Sequence, residues 1–418
     1  MKKVTTKNNL YNNTCKICEG LMNPKLNLGK MPLSHMYSDK EIYLTKDSII
    51  LFSCPKCGHL QINEVMNNSD CYETSENYLT SHQKPKHIDD IIISLLSRVT
   101  PESVLDIGCN DGLVFKKFQE YEINNLIGIE PNKKAAEISR KYAKIINGFF
   151  CKDSLEDIKK ENNGNKFSII ISRHVLEHVP DPIDFLLCAR KILDDNGMMY
   201  LEIPYIDEAL QLGNPTILWE EHIHYFSNDH LEYIFSRSGF SVVEKKSYAF
   251  GGGSVGYIIK PNSKDNNSHT LPDFSSHQLL LDNFIDKYTK YKHLINNILL
   301  ESKNKGFKSI LYGASPRTVV FLKTCDVQKY IDFIIDDRQD LQNLFLPGTK
   351  STILPLKGIE MESDKVLVLL AVGSENEYKV IKNLKEKYKN KKFFFVSLFC
   401  PRNSIDRFKE TLNELKNF

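Results

Sequence analysis

The chain has 418 residues, which is enough for two or three domains. Its hydrophobic share of 41% and charged share of 26% are ordinary for a globular protein, and 55 basic against 53 acidic side chains leave a net charge of +2. This balance gives no reason to expect nucleic acid or an anionic membrane as a partner, and no apolar run is long enough to span a bilayer.

The first residues, MKKVTTKNNLYNN, are basic but lack the apolar core of a signal peptide. We therefore expect a cytoplasmic, reducing setting for this chain. The ten cysteines are then expected to be free thiols or metal ligands, and a disulfide framework is not expected.

Four of these cysteines form two Cys-x-x-Cys pairs, Cys15 with Cys18 and Cys54 with Cys57. Each short spacing lets a pair chelate, and four thiolates complete a tetrahedral Zn²⁺ site with no open position. A thioredoxin-type redox motif would need a single pair beside a βαβ unit, which is not the pattern here. We therefore predict structural zinc in an N-terminal module of residues 1–70.

The stretch VLDIGCNDG at residues 104–112 predicts a strand, a glycine turn and a helix, the opening unit of a nucleotide-binding α/β domain. Its Asp106, Gly108 and Gly112 resemble the S-adenosylmethionine (SAM) motif of class I methyltransferases. Glu130 ends the next strand, about 20 residues on, where such folds bind a ribose diol. Asp153 follows a third apolar piece and is a candidate for the adenine amine.

Strands and helices alternate from residue 71 to 260, which predicts a mostly parallel sheet with helices on its faces. Two segments of this domain are dense in titratable side chains. One is SRHVLEHVPDP, which contains His178, and the other is LWEEHIHYFS, which contains Glu221 and His222. Both follow predicted strands, where ligands of such sheets bind.

A polar linker at residues 261–275 precedes a long helix with an apolar stripe and a second α/β unit. We predict a smaller Rossmann-like domain over residues 275–418. Its Gly313-Ala314-Ser315 turn before a helix is expected to face the SAM domain and to offer free amides to an anionic tail of the substrate, with Arg317 adding charge.

Together, these features resemble the zinc-containing sugar C-methyltransferases, over nearly the whole chain. The features are the cysteine pairs, the SAM motif, the Glu221-His222 stretch, the glycine–serine loop at 251–254 and the Rossmann-like C-terminal half. The resemblance implies three domains and methylation of a carbon beside the keto group of a nucleotide-linked deoxysugar, which binds between the last two domains. It also implies that Tyr78 and His178 line the pocket.

This sequence departs from the family pattern at four positions. Trp219 and Glu220 stand where the family has Tyr and His, and Gly251 and Gly256 replace a histidine and an arginine. Trp219 is therefore expected to form an apolar wall. The lost arginine bears on how a dianionic nucleotide-sugar is held, and the lost tyrosine bears on the route of proton transfer.

Methylation at carbon requires a base that removes a proton α to a ketone, and donors that hold the enolate oxygen. We expect His222 to be the base, Glu221 to orient it, His178 to polarise the ketone and Tyr78 to contact SAM or the enolate. His174 and His224 are expected to be solvated or structural. Two alternatives stay open: an O- or N-methyltransferase acting on a sugar or other small metabolite, and a non-catalytic SAM-binding scaffold.

Overall fold

The computed structural model describes residues 14–39, 44–63, 79, 85–250, 253–262, 271, 275–357, 363–399 and 405–418. Within these ranges the chain forms a small antiparallel sheet and two α/β sheets. We call the corresponding parts the cysteine module (14–63), the central domain (85–262) and the C-terminal domain (275–418). Among the helices described here, none has the length and apolar composition needed to cross a bilayer.

The cysteine module is built on a four-stranded antiparallel sheet in the order β1-β2-β3-β9. Its own strands are β1 (Asn23–Gly29), β2 (Ile49–Ser53) and β3 (Leu60–Ile62). The fourth strand, β9 (His224–Tyr225), comes from the central domain and pairs with β3. The two parts therefore share one sheet.

Three histidines pack where the cysteine module meets the central domain. His59 Nε2 lies 3.1 Å from His224 Nδ1, and His230 donates from Nε2 to the main-chain oxygen of Cys57 over 2.8 Å. Burial lowers the pKa of all three imidazoles, so that they are neutral near pH 7. His224 is therefore buried in this contact and is not solvated.

The central domain has a seven-stranded sheet in the order β6-β5-β4-β7-β8-β11-β10, in which β11 alone runs antiparallel to the other six strands. Helices pack on both faces of the sheet, and the mixed α/β fold predicted from the sequence is confirmed. The strands are β4 (Val104–Ile107), β5 (Leu126–Glu130), β6 (Lys144–Asn147), β7 (Phe167–Arg173), β8 (Leu193–Pro204), β10 (Phe240–Tyr248) and β11 (Ser254–Pro261). The helices are α1 (His87–Leu96), α2 (Leu113–Gln119), α3 (Lys133–Ser139), α4 (Leu155–Glu161), α5 (Pro182–Ile192), α6 (Ile206–Leu212) and α7 (Asn228–Arg237).

The strand order fixes the place of the ligand site in the central domain. Strands β4, β5, β7 and β8 are parallel, are buried over most of their length and read as apolar runs, as expected of strands covered on both faces. The order reverses between β4 and β7, which makes the crevice at their carboxyl ends the expected ligand site.

A parallel five-stranded sheet in the order β14-β13-β12-β15-β16 forms the C-terminal domain. This is the arrangement of a Rossmann-like unit, as predicted. Its strands are β12 (Lys308–Tyr312), β13 (Phe333–Ile335), β14 (Ile353–Leu354), β15 (Lys365–Leu370) and β16 (Lys392–Ser397). Its helices are α8 (Ser275–Asn304), α9 (Pro316–Cys325), α10 (Ser374–Lys387) and α11 (Ile405–Asn417).

Helix α8 connects all three parts of the molecule. Near its start, Leu281 and Phe284 are buried in one cluster with strands of the cysteine module and with α6. Further along, Tyr291, Ile295 and Ile298 are buried in the core of the C-terminal domain. The apolar stripe seen in the sequence is therefore core, as expected.

Candidate active site

One cavity of about 1820 Å³ lies between the central and C-terminal domains. Its walls come from the carboxyl ends of β4, β5, β7 and β8 and from the turn after β12. His35 and Tyr37 of the cysteine module also line it. A pocket for one drug-sized molecule is usually about 300–1,000 Å³, so this cavity has room for two ligands.

Two buried carboxylates mark the end of the cavity at the central sheet. Glu130 accepts hydrogen bonds from the amide nitrogens of Asn110 and Asn132, both at 2.8 Å, and burial raises its pKa to about 7 against the effect of these two bonds. Burial likewise raises the pKa of Asp106 to about 8, with nearby Arg173 opposing the shift. Both acids line the cavity, as predicted for the SAM site.

The two glycines of the SAM motif have different surroundings. Gly108 lines the cavity at φ +71°, and a Cβ there would lie 2.6 Å from Val175. Gly112, at φ +82°, is instead packed against α3, where a Cβ would meet Tyr142 and Ser139. Gly112 thus allows α2 and α3 to pack closely, and it is not among the residues that line the cavity.

Asp153, like Gly112, is a predicted SAM residue that does not line the cavity. It is exposed in a short 3₁₀ turn, Lys152–Ser154. Phe149, Phe150 and Cys151, which directly precede this turn, do line the cavity. An aromatic wall therefore stands where the sequence suggested a hydrogen-bonding acid.

The two predicted histidines meet around a buried carboxylate. The rings of His178 and His222 are 4.7 Å apart between centroids and nearly perpendicular. Glu177 Oε1 lies 3.9 Å from His178 Nε2 and 4.0 Å from His222 Nε2. Glu177 is 2% exposed, and neither of its carboxylate oxygens has a hydrogen-bond partner among the described residues.

His222 is held in its neutral form. Burial lowers the pKa of His222 well below the ordinary value. Electrostatic repulsion from the nearby imidazoles of His178, His174 and His35 lowers it further. Its ring also meets the Trp219 ring at a centroid distance of 4.5 Å, so that Trp219 forms the apolar wall expected from the sequence. A neutral imidazole in a cavity wall can accept a proton.

Glu221 has a different partner from the one predicted. Its carboxylate lies 3.4 Å from His35 Nε2, whereas the carboxylate beside His222 is that of Glu177. The main-chain oxygen of Glu221 accepts a 2.9 Å hydrogen bond from His178 Nδ1. The expectation that Glu221 orients His222 through a direct side-chain contact is therefore wrong, because its side chain faces the cysteine module. Tyr78, the remaining catalytic candidate, lies outside the described residues.

A buried ion cluster at the end of β7 and β8 was missed in the sequence. Glu202 accepts from Arg173 Nε at 2.7 Å and lies 2.9 Å from His87 Nε2. Although burial opposes its charge, these contacts and His174 hold the pKa of Glu202 well below its usual range. The signal available in the sequence was an arginine and a glutamate near the ends of two neighbouring predicted strands.

His174 belongs to this cluster and is not a solvated residue. Burial disfavours its charge, but Glu177 and Glu202 outweigh that effect and raise its pKa to about 9. It lines the cavity at φ +53°, a backbone conformation that is uncommon outside glycine. His174 therefore brings a positive charge to the same wall as Glu177.

The glycine turn of the C-terminal domain faces the cavity, as predicted, but its amides are already used. Gly313 donates to Ile335, Ala314 to the Asp336 carboxylate and Ser315 to Thr318 Oγ1. The next residue is a proline, which has no amide hydrogen. The prediction of free amides for an anion is therefore wrong.

Arg317 is partly buried, and its guanidinium contacts other side chains of the protein. Its guanidinium lies 4.4 Å from the centre of the Phe399 ring and donates from Nη2 to Thr216 Oγ1 at 3.2 Å. Burial lowers its pKa to about 10, which leaves it charged at neutral pH. The cavity therefore has a cation in its C-terminal wall.

Both α/β domains use the same arrangement at the end of their second strand. Asp336 follows β13 and accepts from the amides of Ala314 and Arg338, at 2.7 and 2.9 Å. Glu130 has the same position in the central domain. Its carboxylate accepts from the amide of Asn110, in the turn after β4, and from the amide of Asn132, two residues after Glu130. Both acids line the one cavity, at opposite walls.

The four predicted metal ligands also come together. The Sγ atoms of Cys15 and Cys57 are 3.5 Å apart, those of Cys18 and Cys54 are 3.4 Å apart, and all four side chains are buried. Tetrahedral zinc with bonds of about 2.3 Å would hold sulfurs about 3.8 Å apart. The set therefore fits a metal ion. Glu177, His178 and His222 form a second group whose spacing could hold one.

Tyr200 explains the departure at Gly256. A Cβ at Gly256 would lie 2.2 Å from the Tyr200 hydroxyl oxygen, because the tyrosine fills the space across the paired strands β8 and β11. An arginine at this position would have to displace that ring. The other glycine departure, Gly251, lies outside the described residues.

Comparison with known proteins agrees with this architecture. Residues 81–245 match the model of a methyltransferase domain, and residues 252–398 match that of a C-methyltransferase C-terminal domain. C-methyltransferase NovU of Streptomyces niveus is 22% identical over 338 residues, covering 77% of this chain and 78% of that protein.

More distant matches cover part of the chain only. The tRNA U34 carboxymethyltransferase of Campylobacter jejuni subsp. doylei is 29% identical over 130 residues, which is 30% of this chain and 43% of that protein. The chain thus aligns with less than half of that relative. Among solved structures, the CcbJ methyltransferase from Streptomyces caelestis has a TM-score of 0.36 and 13% identity, covering 44% of this chain and 100% of that one.

The fold, the site and the two matching models define a SAM-dependent methyltransferase. Its second domain model narrows this class. The match of residues 252–398 to a C-methyltransferase C-terminal domain and the similarity to NovU agree with the resemblance seen in the sequence.

Glu130 provides the test of the SAM site. We expect Glu130→Ala to weaken binding of S-adenosylhomocysteine by about 1–3 kcal/mol, because hydrogen bonds to a buried carboxylate are lost. Calorimetry measures the affinity, with exposed Glu137→Ala on α3 as control. Glu130→Gln, which keeps the volume, guards against a folding defect. Unchanged affinity in a folded Glu130 variant would remove Glu130 from the site.

Proposed function

We propose that this enzyme transfers the methyl group of SAM to a carbon beside the keto group of a nucleotide-linked deoxysugar. The observation that carries the proposal is neutral His222 beside the buried carboxylate of Glu177, in a cavity with room for two ligands. A C-methyltransferase homologue over most of the chain supports transfer to carbon. Methylation of a heteroatom is the alternative, since a neutral histidine can also deprotonate a hydroxyl or amine.

SAM, when bound, supplies a methyl group that is electrophilic because it is attached to a sulfonium. The residues available to hold it are those at the central-sheet end of the cavity. Glu130 carries a carboxylate suited to a ribose diol, and Gly108 leaves room beside it. The aromatic wall of Phe149 and Phe150 is suited to a flat base.

His222 is proposed to remove the proton from the carbon that becomes methylated. Its pKa is low, so the ring is neutral and ready to accept at neutral pH. The imidazolium that results has Glu177 beside it, with Oε1 4.0 Å from Nε2. Glu177 therefore stabilises the charge that develops on the base, which is the role that the sequence assigned to Glu221.

His178 is proposed to hold the enolate oxygen. Its Nδ1 donates to the main-chain oxygen of Glu221, so its Nε2 is the atom that can face a substrate. Donation from Nε2 then requires the imidazolium form, whose charge faces Glu177 Oε1 at 3.9 Å. A donor fixed in place before the reaction stabilises developing negative charge without reorganisation.

The nucleotide tail is proposed to bind at the C-terminal wall. Because the turn amides are used internally, side chains must provide the contacts. Lys379 of α10, Arg317 and Arg338 supply positive charge there, and Asp336 supplies an acceptor for a sugar hydroxyl. This wall lies opposite Glu130, as a substrate that reaches toward the SAM methyl group requires.

Zinc is proposed as the ion of the four-cysteine site. The donor set is the one that structural zinc prefers, and all four positions of a tetrahedron are taken by sulfur. Because no position is left open, its role is to hold the cysteine module together.

The zinc proposal is tested by metal analysis, which should find one zinc per chain. Cys54→Ser should lower the unfolding temperature by about 5 °C or more, because ligand loss removes metal-linked folding free energy. Cys151→Ser, at an exposed cysteine outside the cluster, should leave it unchanged. A metal-free protein that unfolds at the wild-type temperature would contradict the structural role.

The base is tested by exchange of the substrate's α-proton with deuterated solvent, with S-adenosylhomocysteine in place of SAM. Wild type should exchange, and His222→Ala should slow exchange and methylation roughly 10²–10⁴-fold with S-adenosylhomocysteine affinity unchanged. Because the pKa of His222 is depressed, the acidic limb of the wild-type rate should lie below the ordinary histidine value. Exchange that persists in His222→Ala would move the base to His178 or Tyr78.

The tail site is tested with Lys379, which is exposed and lines the cavity. Lys379→Ala should weaken binding of a nucleoside diphosphate by up to about 1 kcal/mol, more at low than at high salt, as for an exposed charge contact. Lys382→Ala, on the same helix, should have no effect. Two results would contradict this tail site. One is competition between the nucleoside diphosphate and S-adenosylhomocysteine, and the other is an affinity at low salt that is the same in Lys379→Ala as in wild type.

A further inference from the structure

Residues 32–38 of the cysteine module, which we call the 32–38 loop, reach into the active site. His35 and Tyr37 line the same cavity as His222 and Glu130. The loop carries none of the four metal-binding cysteines, and nothing in a structural zinc module requires such residues to enter a substrate cavity.

Two consecutive loop residues hold two consecutive residues of the catalytic segment. The amide of Ser34 donates to Glu220 Oε1 at 2.5 Å, and His35 Nε2 lies 3.4 Å from Glu221 Oε2. His222 follows directly in the chain. Because the Glu221 main-chain oxygen also accepts from His178, this one contact region fixes the surroundings of both candidate catalytic histidines.

The same loop is attached to the opposite wall. Tyr37 donates from its hydroxyl to the main-chain oxygen of Ala314 at 2.7 Å, and the main-chain oxygen of Ser38 accepts from the amide of Phe345. A Cβ at Gly348 would lie 2.1 Å from Pro32, so the loop also packs closely there. The 32–38 loop thus spans the central and C-terminal walls of the cavity.

The contact between His35 and Glu221 is electrostatic when His35 is charged. Burial disfavours its imidazolium, but Glu221 outweighs burial and raises the pKa above the ordinary value, with Glu220 adding to the shift and Arg338 opposing it. When His35 is protonated, the contact is an ion pair with Glu221. It exists below the raised pKa of His35 and is lost as the pH rises through it.

We propose that His35 is a positioning residue of the methyl-transfer site, which holds the Glu221 carboxylate and so keeps His178 and His222 in their working orientation. This inference rests on the proposed function. The cysteine module then contributes to catalysis through a side chain in addition to its structural role, and Tyr37 keeps the two walls of the cavity at a fixed separation.

Trp219 gives a readout that needs no substrate, since it is the only tryptophan of the sequence. Its ring contacts both His35 and His222, at centroid distances of 6.1 and 4.5 Å. Imidazolium quenches indole emission, so wild-type fluorescence should rise in a step on the alkaline side of the ordinary histidine pKa, as His35 loses its proton. His35→Gln should remove this step, and His293→Gln, at an exposed histidine of α8, should keep it.

Rates are measured on a panel of nucleoside diphosphate-linked keto-deoxyhexoses. His35→Gln should lower kcat and α-proton exchange roughly 10–100-fold, the cost of a misplaced reacting group, with S-adenosylhomocysteine affinity unchanged. The alkaline limb of the wild-type pH profile should disappear in His35→Gln. His35→Lys, which keeps a cation facing Glu221, should recover part of the rate and shift that limb upward.

The outcomes separate this inference from the proposed function. Wild-type rate and pH profile in His35→Gln, with loss of exchange in His222→Ala, would overturn the role of His35 and leave the function standing. Absence of α-proton exchange in the wild type with every panel member would overturn the function. In that case an alkaline fluorescence step that persists in His35→Gln would overturn the ion pair as well.

Discussion

The pairing of β9 with β3 is the contact on which the active site depends. The two residues of β9, His224 and Tyr225, directly follow the segment that carries Glu221 and His222. Because β9 is a strand of the cysteine module's sheet, the position of that segment is set by a domain outside the SAM fold. The strand pairing and the 32–38 loop, both parts of the module that carries the four-cysteine cluster, therefore act on the same few residues.

The cavity has two walls built on one principle. In each α/β domain, an acid at the end of the second strand accepts a hydrogen bond from an amide of the turn that follows the first strand. This acid is Glu130 in the central domain and Asp336 in the C-terminal domain. Parallel strands end at a common edge, and facing the two edges toward each other encloses one cavity. The third part, the cysteine module, contributes His35 and Tyr37 to the lining of the same cavity.

The main features of the fold could be predicted from the sequence because its signals are local. Apolar runs predicted the parallel strands, glycines predicted the turns, and the paired cysteines predicted the four-cysteine cluster. Strand β9 could not be predicted, because two residues carry no period of their own and their pairing depends on a partner more than 150 residues away. Strand β8 begins at Leu193, directly after α5, where Leu193 pairs with Phe167 of β7.

The site was predicted in its residue types more than in its contacts. Sequence order suggested that Glu221 orients its neighbour His222, but Glu221 lies in a turn and its carboxylate meets His35 instead. The sequence did not single out Glu177, whose carboxylate lies beside His222, because it offers no signal there beyond the adjacent His178. The amides of the turn at Gly313 were expected to be free. Sequence proximity could not show that the Ala314 amide donates to Asp336, because this acid is more than 20 residues further on.

The central claim, methyl transfer to a carbon of a nucleotide-linked keto-sugar, is tested most directly by product NMR after reaction with SAM labelled with ¹³C in its methyl group. The account predicts one new methyl resonance coupled to a ring carbon beside the former keto position. A labelled methyl group attached to oxygen or nitrogen would contradict it, as would labelling that appears only with acceptors that lack a ketone.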